Sequence, residues 1–214
     1  MAAAARDTVM KHWLLAALAL KLVTAAAQPG DQEGGGSWSF GATLDGKPIG
    51  THRFVISGPP DARAVDSQAQ FTVRVLGIPV YRYLHQANED WQGECLRELR
   101  SDTDDDGARR HVAQRYEAEC LMGFAYWNPR IVTQQRLINP QTGKIEPARF
   151  EPVADRPINV RDQPVAAQGW RLIAGNQRIV IWYAVDSGRW IGLDAEAKGG
   201  RQLAYRLLPE DPRP

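Results

Sequence analysis

Long apolar runs are missing from this 214-residue chain. The best candidate, Trp13–Leu20, is cut short by Lys21, whereas a helix crossing the hydrocarbon needs about 20 apolar residues, so a membrane-spanning helix is not expected. An excess of one charge is missing too: 26 Lys and Arg face 25 Asp and Glu, for a formal net charge of +1. A nucleic-acid surface normally carries a basic stripe to neutralise phosphates, so that partner class is not expected. The balance gives no steer towards an anionic membrane either. Histidine clusters are absent, because His52, His85 and His111 lie far apart and no Cys joins them at metal-ligand spacing, which leaves no zinc pattern. The motifs G-x-S-x-G, H-E-x-x-H and G-x-x-x-x-G-K-[ST] do not occur, and a Ser-His-Asp triad is a matter of geometry that no local arrangement here assembles. The expectation is a protein that is not an enzyme and that carries neither cofactor nor metal.

What is present begins with a leader. Arg6 and Lys11 precede the short apolar run, and Ala25-Ala26-Ala27 before Gln28 offers the small side chains of a signal-peptidase site. Residues 1–27 are therefore expected to be a signal peptide cleaved after Ala27, which places the mature chain in the periplasm. Gln28–Gly36 (QPGDQEGGG) is polar and Gly-rich, a flexible tether. Residues 37–208 then form one β domain, and 209–214 a disordered tail. In an oxidising compartment an even pair of cysteines, Cys95 and Cys120, is expected to form a disulfide.

The domain has an antiparallel β signature. Short runs rich in Val, Ile, Trp and Tyr alternate with Gly, Asp, Asn and Pro pairs. Phe71, Val73 and Val75 alternate with Thr72 and Arg74, as in a strand with one solvated face. Asp45-Gly46 and Asp102–Gly107 mark hairpin turns. Gly58–Asp66, with Pro59-Pro60, reads as a loop. The spacing predicts about eleven strands in a sandwich, barrel or half-barrel. Ile179–Val185 (IVIWYAV) is apolar throughout and must be covered on both faces. Cys120–Gln135, where Leu121, Phe124 and Trp127 share a helical face ahead of Pro129, is expected to supply a short helix or irregular plug.

Two groups deserve weighing for function. Asp102, Asp104, Asp106 and Gly107 reproduce the first half of a calcium loop, but its twelfth position is Ala113 in place of the bidentate Glu. An acidic, solvated turn is the better account. The aromatics Trp91, Tyr126, Trp127, Trp170, Trp182 and Trp190 are either core, which large rings dominate, or the wall of an apolar pocket. Tyr126 and Trp127, just before Asn128-Pro129, are the expected wall or lid.

LDGKPIGTHRF (44–54), VLGIPVYRYLHQANEDW (75–91), TDDDG (103–107) and FAYWNPRIVTQQRLINPQTGKI (124–145) together resemble an uncharacterised family of exported bacterial proteins known only as a domain of unknown function, DUF6134. The resemblance spans about Trp38 to Leu208. That family in turn is similar to the half-barrels that carry lipoproteins across the periplasm, which implies a broad sheet curled round an apolar hollow with a helix inside. It brings no activity and no catalytic residues, and fold-level likeness does not transfer function. The expected function is the binding or carriage of an apolar small molecule or lipid in the hollow. The alternative is an envelope protein–protein interaction or assembly module whose core is filled. A hydrolase or isomerase would need convergent polar groups, and an outer-membrane barrel an unbroken outward apolar band that Arg74, Arg82, Glu98, Arg115 and Glu117 interrupt.

A regular hairpin turning at Asp104-Asp105 would set Cys95 opposite Gln114, about 20 Å along the strand from Cys120. The disulfide then requires the second strand to stop early and the chain to double back.

Overall fold

The computed structural model describes residues 35–209. The expected leader with its Ala27 cleavage site, nearly all of the tether, and residues 210–214 lie outside the described residues. Thirteen strands follow in chain order: β1 (Gly36–Leu44), β2 (Lys47–Ser57), β3 (Arg63–Val75), β4 (Ile78–Gln92), β5 (Cys95–Asp105), β6 (Ala108–Arg115), β7 (Met122–Gly123), β8 (Arg136–Ile138), β9 (Ile145–Val160), β10 (Gln163–Ala174), β11 (Gln177–Ala184), β12 (Trp190–Ala197) and β13 (Arg201–Leu207). They form one sheet in the order β6-β5-β4-β3-β2-β1-β13-β12-β11-β10-β9-β8-β7. Every pairing is antiparallel except β7 with β8. The chain is a mainly β protein whose sheet stays open, a half-barrel rather than a closed barrel.

Hairpin chemistry explains most of this order. Asp45-Gly46 and Asp106-Gly107 both take positive φ, the backbone a two-residue turn needs to match the strand twist. The strand count exceeds the expected eleven by the two short strands β7 and β8, and two other strands begin earlier than expected. Gly58–Asp66 is a loop only at its start, because β3 already begins at Arg63 and pairs there with Trp91. The Cys120–Gln135 segment also contributes β7, with β8 just after it. The first strand starts inside the expected tether, at Gly36, which pairs with Ile56.

The segment from Tyr116 to Lys144 is the plug. It holds no α-helix. Its one helical turn is the 3-10 helix Pro129–Thr133, capped by Asn128, whose side chain accepts from the Arg130 N–H. Pro129 can begin such a turn but not sit within an α-helix, and Asn128 before it is held extended (φ −104°, ψ 109°). Leu121, Met122, Phe124, Ala125, Tyr126, Ile131, Leu137 and Ile138 of this segment are buried in the core, against Phe40, Leu99, Leu172, Ile181 and Trp190 of the sheet. The plug therefore supplies the covering layer that Ile179–Val185 demanded on one face. On the other face Trp182 carries its own neighbours, as described below.

Candidate functional site

Strand alternation sends one row of each strand inward. His52, Phe54, Ser67, Phe71, Tyr83, His85, Thr103 and Tyr205 meet there. Phe71 and Tyr83 are directly opposite and stack at 5.4 Å. His52 Nε2 lies 2.9 Å from Ser67 Oγ, and His85 Nδ1 lies 2.8 Å from Thr103 Oγ1. Both imidazoles are kept neutral: burial lowers His52 to about 3, with the neighbouring His85 adding to it, and burial alone lowers His85 to about 4. The His52 and Ser67 pair superficially suggests a base and a nucleophile, yet no third group orients the ring. Its Nδ1 is buried without a partner, so the general-base arrangement is incomplete.

The plug is tied to the sheet by buried polar contacts. Tyr183 Oη donates to the Tyr126 carbonyl (2.9 Å) and Gln141 Nε2 to Tyr83 Oη (2.7 Å), while Tyr116 Oη braces the plug internally by donating to the Gly143 carbonyl (2.8 Å). Ser101 Oγ donates to the carbonyl of Pro140. Each satisfies a buried group that would otherwise cost about 1–3 kcal/mol.

The sequence-predicted aromatic set divides. Trp190 is fully buried, with its ring 4.1 Å from Phe40, 5.1 Å from Phe54 and 5.4 Å from Tyr126. Trp91 is buried beside the plug, edge-on to Trp127 at 5.5 Å, and Trp127 is partly exposed under the Arg63 guanidinium. Trp170, opposite Ile181, is a half-buried member of the core rim. Trp182 is buried as well, but alternation turns its ring to the sheet face opposite Tyr183. There its Nε1 donates to Asp194 (2.8 Å), a carboxylate also held by Arg156 and Arg206, while the Arg156 guanidinium lies 4.6 Å over its ring.

Cys95 and Cys120 are bonded, with Cα atoms 4.7 Å apart. The expected obstacle is resolved by register. The turn falls at Asp106-Gly107, two residues later than expected, so Glu98 faces Arg115, and extending that pairing sets Cys95 level with Ala118. The strand stops at Arg115, and the chain returns so that the Leu96 N–H donates to the Leu121 carbonyl (2.8 Å). Just beyond, Gly123 of β7 packs where an added Cβ would meet Leu96 and Trp91 at 3.3 and 3.6 Å. The disulfide therefore clasps the seam where the two ends of the open sheet approach. Beside Gly123 lies Glu89, a buried carboxyl that sequence reasoning missed. It accepts from Trp91 Nε1 (2.9 Å), and burial raises it to about 7 against the pull of that bond.

The calcium-loop residues do not converge. β5 extends through Asp105, and Asp102 and Asp104 are taken up by His111 and Arg109 across the hairpin, while Asp104 also accepts from the Gly107 N–H. Among the described residues no group of His, Cys, Asp and Glu could hold a metal ion.

A cleft of about 760 Å³ lies over β2–β6, chiefly on the outer face. Its floor is two cross-strand rungs, Thr51–Gln70–Leu84–Asp104–Arg109 and Arg53–Gln68–Gln86–Asp102–His111, each linked by direct pairing through five strands. Period-two alternation gives this polar row, but only the sheet's register aligns it, which is why the sequence did not reveal it.

The sequence matches the family described as "Domain of unknown function (DUF6134)" over residues 40–208. The chain belongs to the DUF6134 family. Its fold resembles the solved structure of a "Beta-barrel-like Protein of Domain of Unknown Function DUF1849 from Brucella abortus", with a TM-score of 0.53 at 7% identity, covering 85% of this chain and 99% of that one. At that identity the likeness concerns the fold alone. No curated protein matches the DUF6134 chain. Among its described residues no helix is long and apolar enough to cross a membrane.

Proposed function

We propose that this DUF6134 protein is an exported, non-catalytic envelope interaction module that works through its outer surface, with its hollow occupied by its own plug. The observation that carries this reading is the plug itself. Leu137, Ile138 and Ile131 from that segment, with Phe40, Leu172, Ile181 and Trp190 from the sheet, are wholly buried in one another's company. A carrier of an apolar molecule would present those surfaces to the ligand. The cleft over β2–β6, by contrast, offers amides, guanidiniums and carboxylates suited to a polar partner. Periplasmic location rests on the leader of residues 1–27.

The test is titration of a hydrophobic fluorophore against the folded protein, together with native mass spectrometry of material purified from the periplasm. The expected outcome is no saturable binding and a mass equal to the disulfide-bonded chain from Gln28. Stoichiometric, saturable binding or a retained lipid would replace this reading with the carrier.

A further inference from the structure

The β3–β4 hairpin outruns its neighbours. β2 stops pairing with β3 at Gly50 and Phe71, and β5 stops pairing with β4 at Tyr83 and Asp105, yet β3 and β4 continue with each other to Val75 and Ile78. Residues 72–81 thus form a two-stranded finger with no ladder partner on either side, rooted at Arg82, whose carbonyl accepts from the Asp106 N–H (2.8 Å), and reaching roughly 13 Å beyond the last rung it shares with β2 and β5 at about 3.3 Å per residue. A lone two-stranded ribbon is marginally stable in water, so its persistence beyond the core calls for a use.

Its end is aliphatic and open to solvent: Val75 is 54% exposed, Leu76 97%, Ile78 65% and Val80 53%. The turn is equally unusual. Leu76 and Gly77 both take positive φ, 51° and 83°. Elsewhere Asp45-Gly46 and Asp106-Gly107 occupy such turns, residues that tolerate this backbone, and Arg161-Asp162 pairs another Asp with a polar arginine. Leu has no such tolerance, and its side chain does nothing for the core. Behind the aliphatic tip come Arg74, then Tyr81, and at the root Arg82. The Arg74 guanidinium reaches only the Gly77 carbonyl (3.3 Å), and among the described residues no carboxylate pairs with Arg74 or Arg82. The nearest acids, Asp105 and Asp106, sit at the finger's root, where Asp105 accepts from Tyr81 Oη (2.7 Å) and Asp106 from the Arg82 backbone N–H (3.3 Å).

We propose that this finger inserts its aliphatic tip into the interfacial zone of an anionic phospholipid bilayer, with Arg74 and Arg82 at the level of the headgroup phosphates. The order along the finger, aliphatic first and guanidinium with phenol behind, reproduces the polarity gradient of a membrane interface. Its reach suits the burial depth of about 5–10 Å of peripheral insertions. Four aliphatic side chains cannot supply the roughly 800 Å² per partner of a standard protein interface, which disfavours a second copy. The proposal goes beyond the interaction-module reading and does not depend on what fills the hollow.

Vesicle flotation of the exported full chain tests it, comparing phosphatidylglycerol–phosphatidylethanolamine vesicles with pure phosphatidylcholine. The wild type floats with the anionic vesicles. The double variant Leu76→Asp, Ile78→Asp loses at least tenfold in apparent partitioning, Arg74→Gln with Arg82→Gln loses several-fold and most of its salt dependence, and Val185→Asp, at an exposed apolar residue outside the finger, floats as wild type. Thermal melts establish that the variants fold, and Leu76→Asn, which suits positive φ, replaces the double variant if it does not. Wild type that stays at the bottom of the gradient, or a tip variant that floats undiminished, overturns the proposal. So does concentration-dependent self-association that the tip variant abolishes, which would assign the tip to a second copy.

Discussion

Replacing Glu89 by Gln should make the protein more stable at alkaline pH and leave it nearly unchanged in acid. Glu89 sits beside Gly123 of β7 with Trp91 Nε1 as its hydrogen-bond donor, and burial lifts it from 4.5 to about 7. A raised carboxyl favours the native state only while protonated. Its stabilising contribution is complete below pH 4.5 and is lost as the pH climbs through 7, because the native state must either keep a proton that the unfolded chain has released or hold a charge in the core. At about 1.4 kcal/mol per unit, the swing between pH 4.5 and 8.5 is on the order of 3 kcal/mol. Gln keeps an oxygen for Trp91 and removes the titration, so Glu89→Gln should gain up to about 3 kcal/mol on wild type at pH 8.5, less about 1 kcal/mol if its amide finds no acceptor beside Gly123. Urea unfolding of both proteins at pH 5 and pH 8.5 reads this directly, and a difference between them that is the same at both pH values would refute the reasoning. Because the comparison is between two proteins at each pH, the titrations of His52 and His85 cancel from it.

Those histidines act in the opposite direction. Lowered to about 3 and about 4 in the fold, they stabilise it fully above pH 6.5 and cease to do so as the pH falls, so wild type should lose on the order of 2–3 kcal/mol per ring by pH 4, and His85→Asn should flatten the acid limb of a urea-midpoint profile. Reduction of Cys95–Cys120 should cost about 3 kcal/mol on the chain-entropy account for a loop of this size, and a denatured, non-reduced sample that alkylates at two thiols would contradict the bond. Trp190→Ala, at a fully buried ring, should cost about 3–5 kcal/mol through the cavity it leaves. Trp127→Ala, at the partly exposed rim, should cost distinctly less, and equal losses in thermal or urea unfolding would mean that the rim is as tightly packed as the centre.

Much of the architecture is legible in local chemistry. Asp-Gly pairs set the turns, alternation sets the faces, and an all-apolar strand announces a covering layer. What escaped the sequence is mostly register. The hairpin of β5 and β6 was displaced because four aspartates look like a turn, yet strand geometry accepts three of them once Arg109, His111 and Tyr81 are aligned to receive their charge. That two-residue shift decides whether Cys95 can meet Cys120. Of the two expected forms, short helix or irregular plug, the segment takes the irregular one: Pro129 permits one 3-10 turn, and the Tyr126 carbonyl and Gln141 find partners in the sheet, Tyr183 and Tyr83.

The functional residues were harder to see because their meaning is relational. Trp182 and Trp190 look alike in the sequence and both are buried, but alternation across a bulge between Trp182 and Tyr183 turns one to the Asp194–Arg156 cluster on the other sheet face and leaves the other at the centre of the core. Glu89 is one charge among many until Trp91, Leu96 and Gly123 close round it. The finger shows the same point from the other side. Leu-Gly at a turn reads as a weak hairpin signal, and VLGIPV as another buried strand. Only the pairing register reveals that β2 and β5 stop pairing with it short of its tip, leaving a cluster of apolar side chains where the fold provides nothing to bury them. A core explains apolar residues by the contacts they make, and residues with no contacts to make have to be explained by something outside the chain.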